Sequence, residues 1–356
     1  MIQFSEHELE QYKRHLSLNE IGYAGQQKLK HAKVLCVGAG GLGSPALFYL
    51  AAAGVGTLGI IDNDKIERSN LQRQILFTAH DAGQNKAITA KKRLAALNPH
   101  ITINAYEQRL TSENAANILS QYDIIADGSD NFETRYLVNH TCVALQKVNV
   151  SASVFGFKGQ CTLIEPSSGP CYNCLYPAGY GESSLLNCSD NGILGVLPGI
   201  IGSIQANEII KWILCVGTSL FGKLLQFDAL TLSFSIFSYN KVLQCEICGN
   251  KKLPPFFYKK SSLCQKEFTL TWQEFLAIRN NENIFLIDVR TPQEHSAYNL
   301  GGINIPLPQL AGNLGSIAKD KLIIVYCQSG QRSAAAVGIL NKFGFLRVKN
   351  LEGGIR

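Results

Sequence analysis

Short apolar runs alternate with stretches of helical periodicity along the first two thirds of the chain. Residues 34–37 form an apolar run that enters Gly38-Ala39-Gly40-Gly41-Leu42-Gly43, a helical pattern follows, and a second run at 58–61 ends at Asp62. Apolar runs of this length bounded by glycine predict buried strands, so the stretch reads as strand, glycine turn, helix and strand. The alternation goes on with a helix over 80–97, stopped by Asn98-Pro99, strands over 101–106 and 122–126, and a helix over 133–145. Strands interleaved with helices in this way predict a parallel, doubly wound sheet. Strands over 148–155, 159–164, 224–228 and 232–238, with one helix over 200–214 between them, extend it. Ahead of all this, residues 5–30 carry two helical patterns, with Leu9, Tyr12 and Leu16 on one face and Arg14 off it.

The pattern breaks at 249–263, GNKKLPPFFYKKSSL, which has the lysine, serine and paired-proline composition of a hinge. A smaller α/β domain follows: a helix over 268–278, a strand over 284–290 and a strand over 322–326. That last strand runs into Cys327-Gln328-Ser329-Gly330-Gln331-Arg332-Ser333 and a helix over 334–343. The expected division is N-terminal helices 1–30, a nucleotide-type domain 31–249, a linker 250–265 and a second domain 266–356.

Composition narrows the class. A chain of 356 residues with 46% hydrophobic residues has material for two buried cores. A net charge of +6 without runs of like charge fits solubility and phosphate handling, not a nucleic-acid surface. The most apolar stretch, 193–204, is interrupted by Pro198 and glycines, so no membrane span is expected, and the charged start lacks the apolar core of a signal peptide. These features predict a cytoplasmic protein, in which eleven cysteines point to metal or sulfur chemistry instead of disulfides.

The glycine turn suits a phosphate. Glycine lets the backbone approach the anion closely, and the helix start that follows offers free N–H groups and a positive dipole end. Asp62, after the next strand, is placed to accept from ribose hydroxyls. Dehydrogenases use the same turn, but here Asp62 leads into Asn63-Asp64 and Ser69-Asn70-Leu71-Gln72-Arg73-Gln74, a polar and cationic run that suits a triphosphate. Asp62, Asp127 and Asp130 stand at predicted strand ends and are expected to face one crevice, where carboxylates beside a triphosphate hold magnesium; Asp130 reads equally as a helix N-cap.

The cysteines sort by context. Cys171-Tyr-Asn-Cys174 and Cys245-Glu-Ile-Cys248 give the four thiolates of a structural zinc site, with a redox dithiol as the rival reading. Cys188 lies in a polar, glycine-rich loop where a reactive acyl group would reach it. Cys36, Cys142 and Cys215 lie in strand or apolar helical contexts and are expected to be buried and inert, while Cys161 and Cys264 have no informative context. Cys327 sits on a tight loop between a strand and a helix N-terminus, a setting rich in N–H donors that favours a thiolate over a buried, inert thiol, with Arg332 closing the loop. The same cradle suits the terminal sulfur of a persulfide.

Together the glycine turn, Asp62, the Asn70–Gln74 run, Lys86 in Asn85-Lys86-Ala87, Asp130-Asn131-Phe132 and the two zinc knuckles resemble the MoeB/ThiF family, the bacterial branch related to ubiquitin-activating enzymes, over residues 5–250. Asp288-Val-Arg290-Thr-Pro-Gln-Glu294, Gly302-Ile-Asn-Ile-Pro306, the four-residue spacing of Cys327 and Arg332, and Asn350-Leu-Glu-Gly-Gly354 resemble a rhodanese over 266–356. A phosphatase would need a wider Cys-x5-Arg loop. Two departures from the rhodanese pattern are the lack of histidine at 299–301 and a sequence that stops at Arg356, where rhodaneses add a closing helix.

The resemblance implies a fold: a Rossmann-like ATP-binding domain with a mixed sheet and zinc knuckles, plus a smaller α/β rhodanese domain. It also implies adenylation of the C-terminal Gly-Gly of a small ubiquitin-fold sulfur carrier of the MoaD/ThiS type, using ATP and Mg2+ in a homodimer that carries structural Zn2+. Gly38, Gly40, Gly41, Gly43 and Gln74 would line the nucleotide, with Asp62 on the ribose, Asn70, Arg73 and Lys86 on the triphosphate, and Asp130 on magnesium. Arg14 matches the arginine that reaches the neighbouring subunit's site. A persulfide on Cys327, charged from a persulfide or thiosulfate donor, would then make the thiocarboxylate, with Cys188 as a transient acyl acceptor. Molybdopterin synthesis is the expected destination, with thiamine synthesis or tRNA thiolation by the same chemistry as alternatives. From other classes, an NAD-binding redox sensor is disfavoured by Arg73, Lys86 and the knuckles, and a non-catalytic carrier scaffold would give no pyrophosphate.

Overall fold

The computed structural model of the chain describes residues 3–177, 192–249, 269–279, 281–345 and 347–355. It divides into two compact units, Met1–Tyr258 and Lys259–Arg356. Cys188, Cys264 and the expected linker 250–265 lie outside the described residues.

In the first unit, α1 (Glu6–Gln11), α2 (Lys13–Leu16) and α3 (Gly22–His31) lead into β1 (Lys33–Val37), α4 (Gly43–Ala52) and β2 (Thr57–Ile61). Then come α5 (Lys86–Leu97), β3 (Thr102–Tyr106), α6 (Ala115–Leu119), β4 (Ile124–Asp127), α7 (Phe132–Leu145), β5 (Val148–Phe155) and β6 (Lys158–Ile164). The short α8 (Tyr172–Leu175), the long α9 (Val196–Leu214), β7 (Lys223–Asp228) and β8 (Ser233–Ser238) complete it. The eight strands form one mixed sheet in the order β3-β2-β1-β4-β5-β6-β7-β8. β3 to β5 are parallel neighbours, and β6 to β8 are antiparallel.

Because side chains alternate across a strand, each central strand feeds two cores. Val34, Cys36, Leu58, Ile60, Ala126 and Val150 pack with α4 and α9 on one face, while Leu35, Val37, Ile61 and Ile125 pack with α6 and α7 on the other. The carboxyl ends of β1, β2 and β4 lie side by side, the usual place for a ligand in an open parallel sheet, with Asp127 at the end of β4 fully buried.

The second unit contains β9 (Thr269–Leu270), α10 (Trp272–Ile278), β10 (Ile284–Asp288), α11 (Pro292–Ala297), β11 (Ile303–Asn304), β12 (Leu322–Tyr326), α12 (Gln331–Lys342) and β13 (Val348–Leu351). Its sheet, β11-β10-β12-β13-β9, is parallel throughout. Ile287, Ile323 and Val325 pack against α12, and Ile324 and Tyr326 against Phe275 on the opposite face. Among the described residues no helix is long and apolar enough to cross a membrane.

Some elements differ from expectation. The N-terminal pattern breaks at Tyr12, which caps α1 and is buried, whereas Leu9 is 37% exposed, so the three residues do not share one buried face. The helix expected over 80–97 starts only at Lys86, because the side chain of Asn85 caps it by accepting from the Ile88 N–H, and Gly83 has φ +87°. The helix expected over 200–214 starts earlier, at Val196, because Pro198 falls in its first turn and needs no backbone donor there. Cys215, expected to be buried, is exposed in the left-handed residue that ends α9, with φ +59°.

Candidate functional site

The glycine turn closes at the carboxyl end of β1. Gly38 has φ +90° and its N–H donates to the Ile61 carbonyl at 2.9 Å. A side chain at Gly43 would bring its Cβ to 2.0 Å from the Gly38 carbonyl oxygen, so the chain folds back on itself there only with glycine. No side chain caps the N-terminus of the ten-residue α4; the Ser44 N–H donates to the Gly40 carbonyl at 2.9 Å and Pro45 has no N–H, so the donor that its first turn offers a ligand is that of Gly43.

Asp62 organises this turn from β2. Its Oδ2 accepts from the Ala39 N–H at 2.8 Å and its Oδ1 from the Asp64 N–H at 2.9 Å, which leaves each oxygen a further lone pair. Burial pushes its carboxyl above the usual range, against the opposing pull of Lys86. Lys86 is buried at the start of α5, and its Nζ lies 2.9 Å from Asp64 Oδ2.

Arg73 reaches the turn from another segment: its Cγ lies 3.6 Å from the position a Cβ on Gly41 would take, beside Pro198 of α9 at 3.1 Å. Arg73 Nη1 donates to the Ser69 carbonyl at 3.1 Å. Asn70 is buried, accepting from the Glu67 N–H and donating to Ser69 Oγ. Gln74 is buried close to Gly40, with its Oε1 lacking a hydrogen-bond partner, as an acceptor awaiting a donor would be. The uncapped helix start, the unpaired Gln74 oxygen and the Gly41 cradle fit an anionic nucleotide.

Asp127 does not face the crevice expected for all three strand-end aspartates. Asp127 is fully buried, accepts from the Ser129 N–H and hydroxyl at 3.1 and 2.6 Å, and is pushed up by burial against the pull of Arg135. Asp130 is exposed, and the N-cap of α7 is Asn131, which accepts from the Thr134 N–H at 2.8 Å, so the capping alternative for Asp130 falls. Arg14 is exposed on α2.

The four cysteines of the two knuckles meet. Their sulfurs lie within 4.8 Å of one another, with Cys171 and Cys245 at 3.7 Å and Cys174 and Cys248 at 3.4 Å. A tetrahedron of thiolates about 2.3 Å from zinc has edges of about 3.8 Å, so the set fits the ion. The Cys174 sulfur accepts from the Val242 N–H at 3.4 Å; its contact with Cys171 and this donor hold the Cys174 thiol down, while the same contact and burial push Cys171 up.

In the second unit Cys327 is fully buried, against the exposure expected of a polar loop. Its sulfur accepts from the Ser333 N–H at 3.4 Å and hydroxyl at 3.3 Å, so the loop turns donors inward. Arg332 makes two parallel bonds to Glu294, Nη1 to Oε2 at 2.9 Å and Nη2 to Oε1 at 2.7 Å, and holds the Glu294 carboxyl down to about 2. Arg290 is buried against Asp288 and donates to Gln328 on the cysteine loop.

Sequence reasoning passed over Asp64, Arg135, Asn139 and Glu294 as functional neighbours. Asp64 stands two residues from Asp62 and Glu294 within a quoted motif, so both had a local signal; a lone arginine and asparagine inside an apolar helix had none.

The ThiF family model matches residues 12–247 and the rhodanese-like domain model residues 271–356. A probable molybdopterin-synthase adenylyltransferase of Porphyra purpurea is 38% identical, over 99% of this chain and 93% of that protein. A probable adenylyltransferase/sulfurtransferase MoeZ of Mycobacterium tuberculosis is 36% identical over the same shares. Among solved structures, E. coli MccB with AMPCPP and MccA superposes with a TM-score of 0.61 at 25% identity, over 70% of this chain and 76% of that one. With these matches lying on the glycine turn, the four-cysteine cluster and the Cys327 loop, the chain belongs to the ThiF family, as an enzyme whose adenylyltransferase domain is followed by a rhodanese-like sulfurtransferase domain.

Proposed function

We propose that the first unit adenylates the C-terminal carboxylate of a small ubiquitin-fold carrier ending in Gly-Gly, and that the second supplies sulfur to the activated carboxylate, most directly for molybdopterin synthesis. The relatives named for molybdopterin synthase and for paired adenylyl and sulfur transfer support this destination. The single observation that supports the chemistry most is the convergence of Arg73 and Lys86, from separate segments, on the uncapped glycine turn and on Asp62.

The carrier carboxylate attacks the α-phosphorus of ATP and pyrophosphate leaves. Charge builds on the phosphoryl oxygens and the leaving group, where Arg73, Lys86 and the Gly43 N–H would stabilise it. Asp130 would hold magnesium, which neutralises phosphate charge, and Arg14 would act across a homodimer. Gln74 Oε1 would accept from the nucleotide, and Asp62 from ribose hydroxyls.

A persulfide on Cys327 then attacks the acyl carbon, and AMP leaves with its bonding electron pair. One thiol attacks the Cys327 sulfur of the resulting acyl disulfide and thiocarboxylate leaves, and a second thiol then cleaves the mixed disulfide left on Cys327, so that the two thiols end as a disulfide and Cys327 as a thiolate. Ser333, whose N–H and hydroxyl face the Cys327 sulfur, would stabilise the thiolate released. Cys188 remains a proposed transient acyl acceptor.

The test is the intact mass of a Gly-Gly carrier after incubation with the full chain, ATP, magnesium, thiosulfate and a thiol. Thiocarboxylate from the native protein, lost with Cys327→Ala, is the expected result. Carrier of unchanged mass, with no pyrophosphate released, would reject the reading.

A further inference from the structure

One face of α7 grips two sites at once. Near its start, the buried Arg135 donates from Nε and Nη2 to the Ser129 carbonyl at 3.1 and 2.7 Å, fixing the residue just before Asp130. Asn139, one turn on from Arg135, and His140 hold the first zinc knuckle, and Tyr136, three and four residues before them and so on their face, holds the two residues that follow α8. Asn139, fully buried, accepts from the Tyr172 N–H at 2.9 Å and donates to Asn173 Oδ1 at 2.8 Å. His140 Nε2 lies 3.1 Å from the same Asn173 oxygen, and the Tyr136 hydroxyl donates to the Tyr176 and Pro177 carbonyls at 3.2 Å each. Tyr136 and Tyr172 meet edge to face with ring centroids 5.6 Å apart. Tyr172 and Asn173 are the two residues between the zinc thiols Cys171 and Cys174.

We propose that zinc occupancy of the four-cysteine site and nucleotide occupancy beside Asp130 are coupled through α7, with Asn139 as the positioning residue. The inference rests on the adenylation reading above. A thiolate cluster that loses its ion relaxes, and the knuckle backbone that Asn139 reads relaxes with it. Asn139 would then be left buried without partners, a costly state that a shift of α7 relieves. In a close-packed interior that shift is passed along the helix, not absorbed, and Arg135 carries it to the Ser129 carbonyl one turn away. Coupling between two binding equilibria is reciprocal, so bound nucleotide tightens zinc by the same factor by which zinc tightens nucleotide.

The experiment measures the zinc affinity of the full chain by competition with a colorimetric chelator, with and without α,β-methylene ATP and magnesium, alongside direct binding of that nucleotide. Nucleotide is expected to raise zinc affinity by about fivefold or more, within the range of measured couplings. Nucleotide affinity should fall by the same factor in zinc-depleted protein. Asn139→Ala is expected to weaken zinc binding, abolish the effect of nucleotide and raise KM for ATP more than it lowers kcat. Should that variant fail to fold, Asn173→Ala, on the partly exposed knuckle, removes the same hydrogen bond from the other side. Equal zinc affinity with and without bound nucleotide overturns the coupling and leaves the function intact. If α,β-methylene ATP does not bind the zinc-loaded protein at all, the adenylation reading falls and the coupling with it.

Discussion

Lys86 Nζ lies 2.9 Å from the Asp64 carboxylate, and the two side chains differ in exposure: 7% for the lysine and 62% for the aspartate. The ammonium is thus fixed by the core, while its counterion stands in water and yields readily to a phosphate. Lys86→Ala is expected to lower ATP–pyrophosphate exchange by about 10²-fold or more, the cost of one preorganised donor. Asp64→Asn, which removes only the partner that positions it, should cost about tenfold. Equal losses would mean that Asp64 itself touches the substrate.

This pair also marks where reading the sequence stopped. Asp62 had a local reason, an acid after a strand, whereas Lys86, inside a helix expected over 80–97, was singled out by the family resemblance alone. Their common neighbour Asp64 needed the turn between them, which brings the Asp64 carbonyl to the Lys86 N–H at 2.9 Å. The order of apolar runs made the doubly wound sheet and the second α/β unit legible, since buried parallel strands are apolar on both faces. Asp127 misled because a strand-end acid and a buried acid look alike in sequence; only Ser129, two residues on, and Arg135, in the first turn of α7, turn it inward. Cys215 misled for a related reason: the apolar helix ends one residue before it.

Gly43 tests the turn. A Cβ there would stand 2.0 Å from the Gly38 carbonyl oxygen, a backbone atom that cannot rotate away. Gly43→Ala is expected to destabilise the first unit by about 1–3 kcal/mol, as overpacking does, and to abolish calorimetric binding of ATP. Gly199, inside α9 with no atom within 4 Å of its ideal Cβ, is the control. Gly199→Ala should stabilise by about 0.5–1 kcal/mol through helix propensity. Unchanged ATP binding in Gly43→Ala would remove the turn from the site.

Thiol accessibility separates the cysteines. Cys36, Cys142 and Cys161 are buried, and burial pushes all three thiols up, Cys36 to about 12. Cys215 is exposed. Peptide mapping after brief alkylation of the native protein near neutral pH should find Cys215 modified and Cys36, Cys142 and Cys161 protected. In denaturant all four should react. Early modification of Cys142 would contradict the packing of α7 on which the coupling between zinc and nucleotide depends.

Acid should loosen the cysteine loop of the second unit through Glu294. Its carboxyl is held down from 4.5 to about 2, first by the hydrogen bonds from Arg332 and then, after opposing burial, by the Thr291 N–H. A carboxyl whose folded pKa is depressed adds stability that is fully present above its unfolded value, about 4.5, and is lost as pH falls from there towards about 2. Glu294→Gln keeps an acceptor for the Thr291 N–H but has no charge to lose. It should therefore be less stable than the native protein at about pH 7, with the gap narrowing between about pH 4.5 and about pH 3 as the native carboxylate is protonated. The chain has two tryptophans, and in a Trp212→Phe background the remaining Trp272, whose Nε1 donates to the Gly354 carbonyl at 2.8 Å, reports unfolding of the second unit. Denaturant melts followed at that residue would show the narrowing. A gap that stays constant across the range would mean that Arg332 does not depend on the Glu294 charge and is held by the loop alone.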